Sequence, residues 1–179
     1  MHNQEFLNQY FAESWKPSED AYTYSAYATL AKKVQPDQWV LDVGCGGNPF
    51  KRLLPNVIGI DPARDEADYR VTIEDFETDQ RFDVAMCLGS INFGTIEDIE
   101  PAVDKVVSLL KPQSQIFWRL NPGRQDHASS DCEQIKFFPW THSVLSELAR
   151  KHGYHQSNEQ QETNGRVIRL YAEWHRTGA

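Results

Sequence analysis

An acidic residue, a glycine-rich loop and a second acidic residue follow one another at the ends of two predicted strands. The first strand, Trp39–Val43, is an apolar run that contains Asp42 and stops at a loop with three glycines in four positions, 44–47. The second strand, Val57–Ile60, ends at Asp61, nineteen residues after Asp42. Strand, glycine loop, connection, strand and acid is the order of a nucleotide-binding βαβ unit. These residues therefore predict a site for a nucleoside-containing cofactor.

The loop differs from the loops that bind a pyrophosphate. A nicotinamide-cofactor loop reads Gly-x-Gly-x-x-Gly, and its third glycine allows close packing of helix on strand. Residues 44–49 read Gly-Cys-Gly-Gly-Asn-Pro, so Pro49 stands where that third glycine would be. The loop therefore disfavours a dinucleotide cofactor.

The elements that position these residues form an α/β pattern. Hydrophobic periodicity and capping residues predict helices at 5–15, at about 18–34, from Thr95 to Pro112 and from Thr141 to Gly153. Further apolar runs predict strands at 69–71, 82–88 and 115–120, and Asn164-Gly165 predicts a closing hairpin between 154–162 and 166–172. We expect a sheet that is parallel through five strands and ends in an antiparallel hairpin.

Composition limits the class of protein and its partners. The 179 residues fit one domain, which we divide into an N-terminal helical cap (1–36) and a Rossmann-like core (37–179). The formal net charge of −8 argues against a nucleic-acid partner, because such binding relies on Lys and Arg. No apolar stretch is long enough to cross a membrane, and the N-terminus lacks the features of a signal peptide. We expect a cytoplasmic protein, either a monomer or a homodimer, with no membrane partner.

The cysteines and histidines do not predict a metal. Three cysteines, Cys45, Cys87 and Cys132, lack metal-type spacing and are predicted to be reduced thiols. No cluster of histidines has the spacing of metal ligands either. We predict no metal site.

The segment Val40-Leu-Asp-Val-Gly-Cys-Gly-Gly47 is similar, almost letter for letter, to the first motif of the class I S-adenosylmethionine-dependent methyltransferases. The resemblance covers nearly all of the chain from about residue 37 onward, and Cys87–Phe93 resembles the motif that lines the transferred methyl group. It implies a doubly wound, mostly parallel seven-stranded sheet that ends in an antiparallel hairpin, with the N-terminal helices as a partial lid. It also implies S-adenosyl-L-methionine as cofactor and S-adenosyl-L-homocysteine as product.

The resemblance assigns cofactor-binding roles to three regions. Asp42 would meet the ammonium of the methionine part, and Asp61 would accept both ribose hydroxyls, although a helix cap is the alternative for Asp61. Thr72 occupies the position of the acid that usually reaches the adenine, so Glu74 or Asp75 could replace it. The remaining residues implied to contact the cofactor are Gly44, Cys45, Gly46, Gly47, Pro62, Ile73, Leu88, Gly89 and Ser90.

The acceptor side is less defined by the sequence. Phe93 stands where many relatives with small substrates carry a histidine, and His127, beside Asp126, is the predicted catalytic base. The predicted substrate residues are Tyr22, Asn92 and Arg124. Arg119 and Arg124 flank the end of a strand, where a substrate carboxylate could be held. Further candidates are Tyr10, Trp15, Ser90, Asn121 and Trp140. For every candidate in this paragraph, the alternative to a role in substrate binding or catalysis is simple packing or surface exposure.

The predicted activity is methyl transfer to a small-molecule acceptor. The chain lacks the Asn/Asp-Pro-Pro-Tyr/Phe motif used on exocyclic amino groups of bases, and it lacks a Pro-Cys nucleophile for pyrimidine carbon. Two alternatives stay open: an RNA or protein methyltransferase, and a non-catalytic S-adenosylmethionine-binding protein of the same fold.

Overall fold

Six strands form one mixed sheet in the computed structural model, which describes residues 3–15, 22–123, 133–164 and 167–176. The strands are β1 (Val40–Val43), β2 (Val57–Ile60), β3 (Phe82–Leu88), β4 (Leu110–Leu120), β5 (His155–Asn164) and β6 (Val167–Arg176). They lie in the order β2-β1-β3-β4-β6-β5. The first four pair in parallel, and β6 pairs antiparallel with both β4 and β5. A mostly parallel sheet with a closing antiparallel hairpin is therefore confirmed, but the described residues contain four parallel strands where five were predicted.

Successive side chains of a strand point to opposite sides of the sheet, and here both sides carry apolar residues. Helices therefore cover both faces. One apolar layer joins Leu41, Ala85 and Trp118 of the strands to α3 (Ile96–Ser108) and α4 (His142–Lys151). The opposite layer joins alternate strand residues, among them Val40, Met86 and Phe117, to α2 (Tyr27–Ala31) and the 3₁₀ turn Pro49–Arg52. None of the helices in the described ranges is long and apolar enough to span a membrane.

The predicted helix ends at 95 and 141–153 are confirmed. The backbone N–H of Thr95 donates to the Asp98 carboxylate (2.9 Å), which is half of a capping box. The Thr141 hydroxyl accepts from the Val144 N–H (3.1 Å), and Gly153 ends α4 with a positive φ of 75°. These local signals fix the start of α3 and both ends of α4. The predicted end at Pro112 is wrong, because α3 ends at Ser108 and Pro112 lies within β4.

The prediction of seven strands is wrong for the described residues, because 69–71 does not form a strand. Tyr69 makes a single parallel bridge to Ile60. A further strand would need the Gly59 N–H for backbone pairing with β2. That N–H already donates to the Asp68 carboxylate (2.8 Å). β2 is therefore the edge of the sheet.

The prediction of a helix over about 18–34 is also wrong in the part that is described. Residues 22–26 are not helical, and α2 is confined to Tyr27–Ala31. The Glu162 carboxylate accepts hydrogen bonds from the N–H groups of Tyr24 and Ser25 and from the Ser25 hydroxyl, and these bonds compete with a helical ladder. The first predicted helix, 5–15, is present as α1 (Gln4–Gln9) followed by a π-helical turn, Tyr10–Ser14.

Candidate functional site

A cavity of about 470 Å³ opens at the carboxyl ends of the parallel strands. The last residues of three strands, Val43, Ile60 and Leu88, line it. The chain runs from β1 to β2 on one side and to β3 on the other, so the cavity lies at the point where the strand order reverses. This is the place where open α/β sheets bind ligands, and the volume is that of a small-molecule site.

Asp61 holds the glycine loop from the end of β2. Its Oδ2 accepts from the Gly46 N–H (2.9 Å) and its Oδ1 accepts from the Ala63 N–H (2.8 Å). The side chain is buried and lines the cavity. A carboxylate has about four lone-pair directions, so each oxygen keeps one acceptor position after these two bonds. Asp61 therefore presents two adjacent acceptors, which suits a vicinal diol.

The backbone at Gly44 passes directly against Ser90, at the end of β3. Gly44 has a φ of +67°, and a Cβ placed on it would overlap the Cβ of Ser90. The buried Ser90 hydroxyl has no hydrogen-bond partner among the described residues, although it lines the cavity. A buried hydroxyl without a partner costs free energy, so a polar ligand atom would satisfy it.

We expect Gly44→Ala to destabilise the fold and to close part of the cavity. The alanine would need the left-handed φ and would also displace Ser90, so the free energy of unfolding should fall by about 1–3 kcal/mol. Urea unfolding measures this change. Gly47→Ala is the matched control, because a Cβ there meets no atom within 4 Å and the φ is not in the left-handed region. Equal stabilities of the two variants would contradict the assigned strain.

Asp42 is a buried carboxylate on β1. It is 3% exposed, and no described residue forms a hydrogen bond with its side chain. Burial, together with the charge of Asp61, raises its pKa from 3.8 to about 7, while Arg119 acts in the opposite direction. It is not among the residues that line the cavity, whereas the next residue, Val43, is. An ammonium group at this end of the cavity would stabilise the ionised form.

The third predicted cofactor region is divided by the structure. Pro62, Thr72, Ile73 and Glu74 line the cavity, whereas Asp75 does not. Asp75 is exposed and accepts from the Thr72 hydroxyl (3.1 Å). Glu74 is therefore better placed than Asp75 to reach a ligand.

The glycine loop contributes only some of its residues to the lining. Gly44 and Gly46 line the cavity, as do Leu88, Gly89 and Ser90 across from them, but Cys45 and Gly47 do not. The Cys45 and Cys87 thiols are buried, and burial raises both pKa values far above the usual range. Burial therefore disfavours the thiolate form of both residues.

Aromatic side chains form one wall of the cavity. The ring centroid of Phe11 lies 5.7 Å from Trp15 and 5.6 Å from Phe93, and Phe93 lies 5.5 Å from Phe137. A Cβ on Gly46 would come within 3.6 Å of the Trp15 ring, so this wall reaches over the loop. Phe93 is therefore an apolar wall residue.

The predicted acceptor residues have different positions. Tyr10, Trp15, Tyr22, Asn92, Arg119 and Asn121 line the cavity. Trp140 is a core residue instead, buried with its indole N–H donating to the Ile91 carbonyl (2.8 Å). His127 and Arg124 lie outside the described residues. Within the described ranges, no group of three or more His, Cys, Asp or Glu residues could hold a metal ion.

Phe11, Arg64 and Phe137 line the cavity but were not predicted from the sequence, and the same is true of Arg169 on β6. Arg169 is 9% exposed and lies two positions before Tyr171 on the same strand, so both face the same side of the sheet. The alternation of Arg169 with apolar residues in 166–172 is the signal that could have indicated it.

Comparison with solved structures identifies similar folds. The 1,6-didemethyltoxoflavin-N1-methyltransferase of Burkholderia thailandensis, solved with 1,6-didemethyltoxoflavin and S-adenosylhomocysteine, has a TM-score of 0.72 at 18% identity, over 97% of this chain and 88% of that chain. The magnesium protoporphyrin IX methyltransferase of Synechocystis PCC 6803, solved with S-adenosylmethionine, has a TM-score of 0.71 at 12% identity, over 99% and 98%.

A third structure is similar at the same level. The N-methyltransferase NodS of Bradyrhizobium japonicum WM9, solved with S-adenosylhomocysteine, has a TM-score of 0.66 at 14% identity, over 97% of each chain. No protein-family model and no curated protein sequence matches the chain. The chain has the fold of the class I S-adenosylmethionine-dependent methyltransferases.

Proposed function

We propose that this protein is an S-adenosylmethionine-dependent methyltransferase that acts on a small-molecule acceptor. One observation carries the proposal: each oxygen of Asp61 accepts one backbone N–H, Oδ2 from Gly46 of the glycine loop and Oδ1 from Ala63, and each keeps one acceptor position at the cavity. A ribose with two adjacent hydroxyls matches this pair. The bound structures of the three similar proteins contain S-adenosylmethionine or its product, which supports the same choice of ligand.

The other residues of this end fit the remaining parts of the cofactor. Asp42 would hold the ammonium of the methionine part, directly or through water, and the free Ser90 hydroxyl would bond a polar atom nearby. Pro62 and Ile73 would pack against the adenine, and Glu74 would be the acid closest to its amino group. When bound, this cofactor supplies an electrophilic methyl group on a sulfonium. This cofactor has no phosphate group. Its site therefore does not need the third glycine of a pyrophosphate-binding loop, and Pro49 stands at that position.

The protein's contribution to transfer would be orientation. Phe11, Trp15 and Phe93 line the cavity, so they would exclude water and align an acceptor with the methyl group. Orientation of this kind can supply several kcal/mol of the barrier, with about 7–11 kcal/mol as its upper range. We propose that α1 and the π-helical turn act as the partial lid. His127 stays the predicted base for acceptors that must lose a proton.

Titration calorimetry with S-adenosylhomocysteine tests the shared premise, and saturable one-to-one binding is the expected result. Absence of binding would overturn the proposal and its alternatives together. Incubation with cofactor labelled at the methyl group and a small-molecule extract should then move label into an organic-soluble product. Label in added RNA or protein would favour a macromolecular acceptor, and binding with no transfer to any of the three would favour a non-catalytic binding protein.

A further inference from the structure

Asn92, in the loop after β3, holds its side-chain amide in one orientation. The residue is 4% exposed and lines the cavity. Its Oδ1 accepts the backbone N–H of Asn121 at 3.0 Å. A backbone N–H can only donate, so the oxygen of the amide must face Asn121 and the NH₂ group must take the remaining position. A hydrogen bond therefore decides which end of this amide is the donor.

The NH₂ group of Asn92 is left without an acceptor. No described residue accepts a hydrogen bond from its Nδ2, although the side chain is almost completely buried. Gly89, which also lines the cavity, leaves the space beside it open, because a Cβ placed there would lie 3.9 Å from Nδ2. A buried donor without a partner costs free energy, so a ligand atom that accepts a hydrogen bond would stabilise it.

The backbone that carries Asn92 is fixed at two further points. The Asn92 carbonyl accepts the Phe138 N–H at 2.7 Å. The carbonyl of the preceding residue, Ile91, accepts the indole N–H of the buried Trp140 at 2.8 Å. The donor is thus held in place before a ligand binds, which lowers the entropy cost of using it.

Along the chain, Asn92 stands between the residues assigned to the cofactor and the aromatic wall. Ser90, two residues earlier, lies against Gly44 of the glycine loop. Phe93 follows directly, and its ring centroid lies 5.6 Å from that of Phe11 and 5.5 Å from that of Phe137. A molecule packed on these rings would therefore meet a single, fixed hydrogen-bond donor beside them.

We propose that Asn92 donates a hydrogen bond to the methyl acceptor, and that this acceptor is a planar aromatic molecule with a carbonyl oxygen or a ring nitrogen. Planar rings pack well against aromatic side chains such as Phe11, Phe93 and Phe137. Both groups offer a lone pair in the plane of the ring, whereas a protonated amine has none. This inference rests on the proposed function, since it takes the glycine-loop end of the cavity as the cofactor site.

Two substitutions remove the donor in different ways. Asn92→Asp keeps an oxygen for the Asn121 N–H and replaces Nδ2 by a second oxygen, which repels a lone pair. Asn92→Leu is similar in size and has no side-chain donor at any pH. Asn8→Asp is the matched control, because Asn8 lines the same cavity from α1 and its Oδ1 also accepts a hydrogen bond, from Gln4 (2.7 Å). It adds the same charge to the lining at another place.

The test uses the full chain saturated with S-adenosylhomocysteine at pH 8 and three bicyclic probes of similar size. Chromone has a carbonyl, quinoline has a ring nitrogen and naphthalene has neither. Ligand-observed NMR gives the dissociation constant of each probe. We expect the affinity of chromone, quinoline or both, relative to that of naphthalene, to fall about tenfold in both Asn92 variants. The affected probe identifies the group as carbonyl or ring nitrogen, and Asn8→Asp should keep the wild-type ratios.

Several results would overturn the role of Asn92. An equal loss for all three probes would show only that the loop had loosened. A fall in one Asn92 variant alone would follow from the charge or the apolar side chain that the substitution adds, and a fall in Asn8→Asp would follow from the charge of the cavity. Unchanged ratios in both Asn92 variants, or no binding of chromone and quinoline to the wild type, would also contradict the inference.

Calorimetry with S-adenosylhomocysteine on the same proteins separates the two proposals. Failure of the wild type to bind it would overturn the proposed function. Binding of S-adenosylhomocysteine without a fall that depends on Asn92 would overturn only the inference about the acceptor. Loss of S-adenosylhomocysteine binding in folded Asn92→Asp would assign Asn92 to the cofactor and overturn that inference as well.

Discussion

Asp61→Ala should weaken the binding of S-adenosylhomocysteine by about 10- to 100-fold, which corresponds to about 1–3 kcal/mol. The substitution removes both acceptors proposed for the ribose hydroxyls. It also frees the N–H groups of Gly46 and Ala63, which the carboxylate now holds at 2.9 and 2.8 Å. The loop would therefore lose its anchor and its ligand group in one change. Titration calorimetry at constant pH measures the loss.

Two further variants separate these contributions. Asp61→Asn keeps one acceptor oxygen, so its affinity should lie between those of the wild type and Asp61→Ala. Asp65→Ala is the matched control from the same loop, because its side chain is 88% exposed and its only ion-pair partner in the described chain is the exposed Arg70. Binding by Asp61→Ala that is as tight as that of Asp65→Ala would contradict the role given to the end of β2.

The parts of the fold predicted from the sequence are those with strong local signals. The apolar runs of β1 and β3 are buried on both faces, and such strands read as continuous hydrophobic segments. The start of α3 and both ends of α4 follow from Thr95, Thr141 and Gly153, whose capping geometry depends on neighbours close in sequence. Asp42, within β1, and Asp61, directly after β2, were located because each belongs to a short apolar strand segment.

The wrong predictions share a different cause, namely contacts between residues far apart in sequence. Residues 22–26 satisfy a helical pattern, but Glu162, more than 130 residues away, takes the N–H groups of Tyr24 and Ser25. Tyr69-Arg-Val71 has the composition of a strand, but the Asp68 side chain satisfies the edge of β2 at Gly59. Arg169 was missed because its place in the cavity depends on the pairing of β6 with β4. Periodicity within one segment contains none of this information.

Asp42→Asn should stabilise the ligand-free protein at pH 8 and have little effect near pH 4. In the wild type the unfolded carboxyl loses its proton near 3.8, while the folded one keeps it up to about 7. The free energy of unfolding therefore falls as the pH rises through this interval, by at most about 4 kcal/mol at about 1.4 kcal/mol per pKa unit. The asparagine variant lacks this fall. Urea unfolding between pH 4 and pH 8 measures the difference, and parallel curves for the two proteins would contradict the raised pKa of Asp42.

The same substitution should weaken S-adenosylhomocysteine binding, because the charge that destabilises the empty site is the charge proposed to hold the ligand's ammonium. For the wild type, the affinity should increase between pH 6 and pH 8, since below a pKa of about 7 binding must first remove a proton from Asp42. That proton should appear in calorimetry as a dependence of the binding enthalpy on the buffer at pH 6. Asp42→Asn should lose both this proton release and the pH dependence.

Asp83→Asn is the control, because Asp83 is already paired with Lys111 at 2.9 Å outside the cavity. Gain of stability with loss of affinity in one variant would show that Asp42 is kept as a buried, unpaired acid for a cationic ligand group. A gain of stability with unchanged affinity would remove Asp42 from the cofactor site.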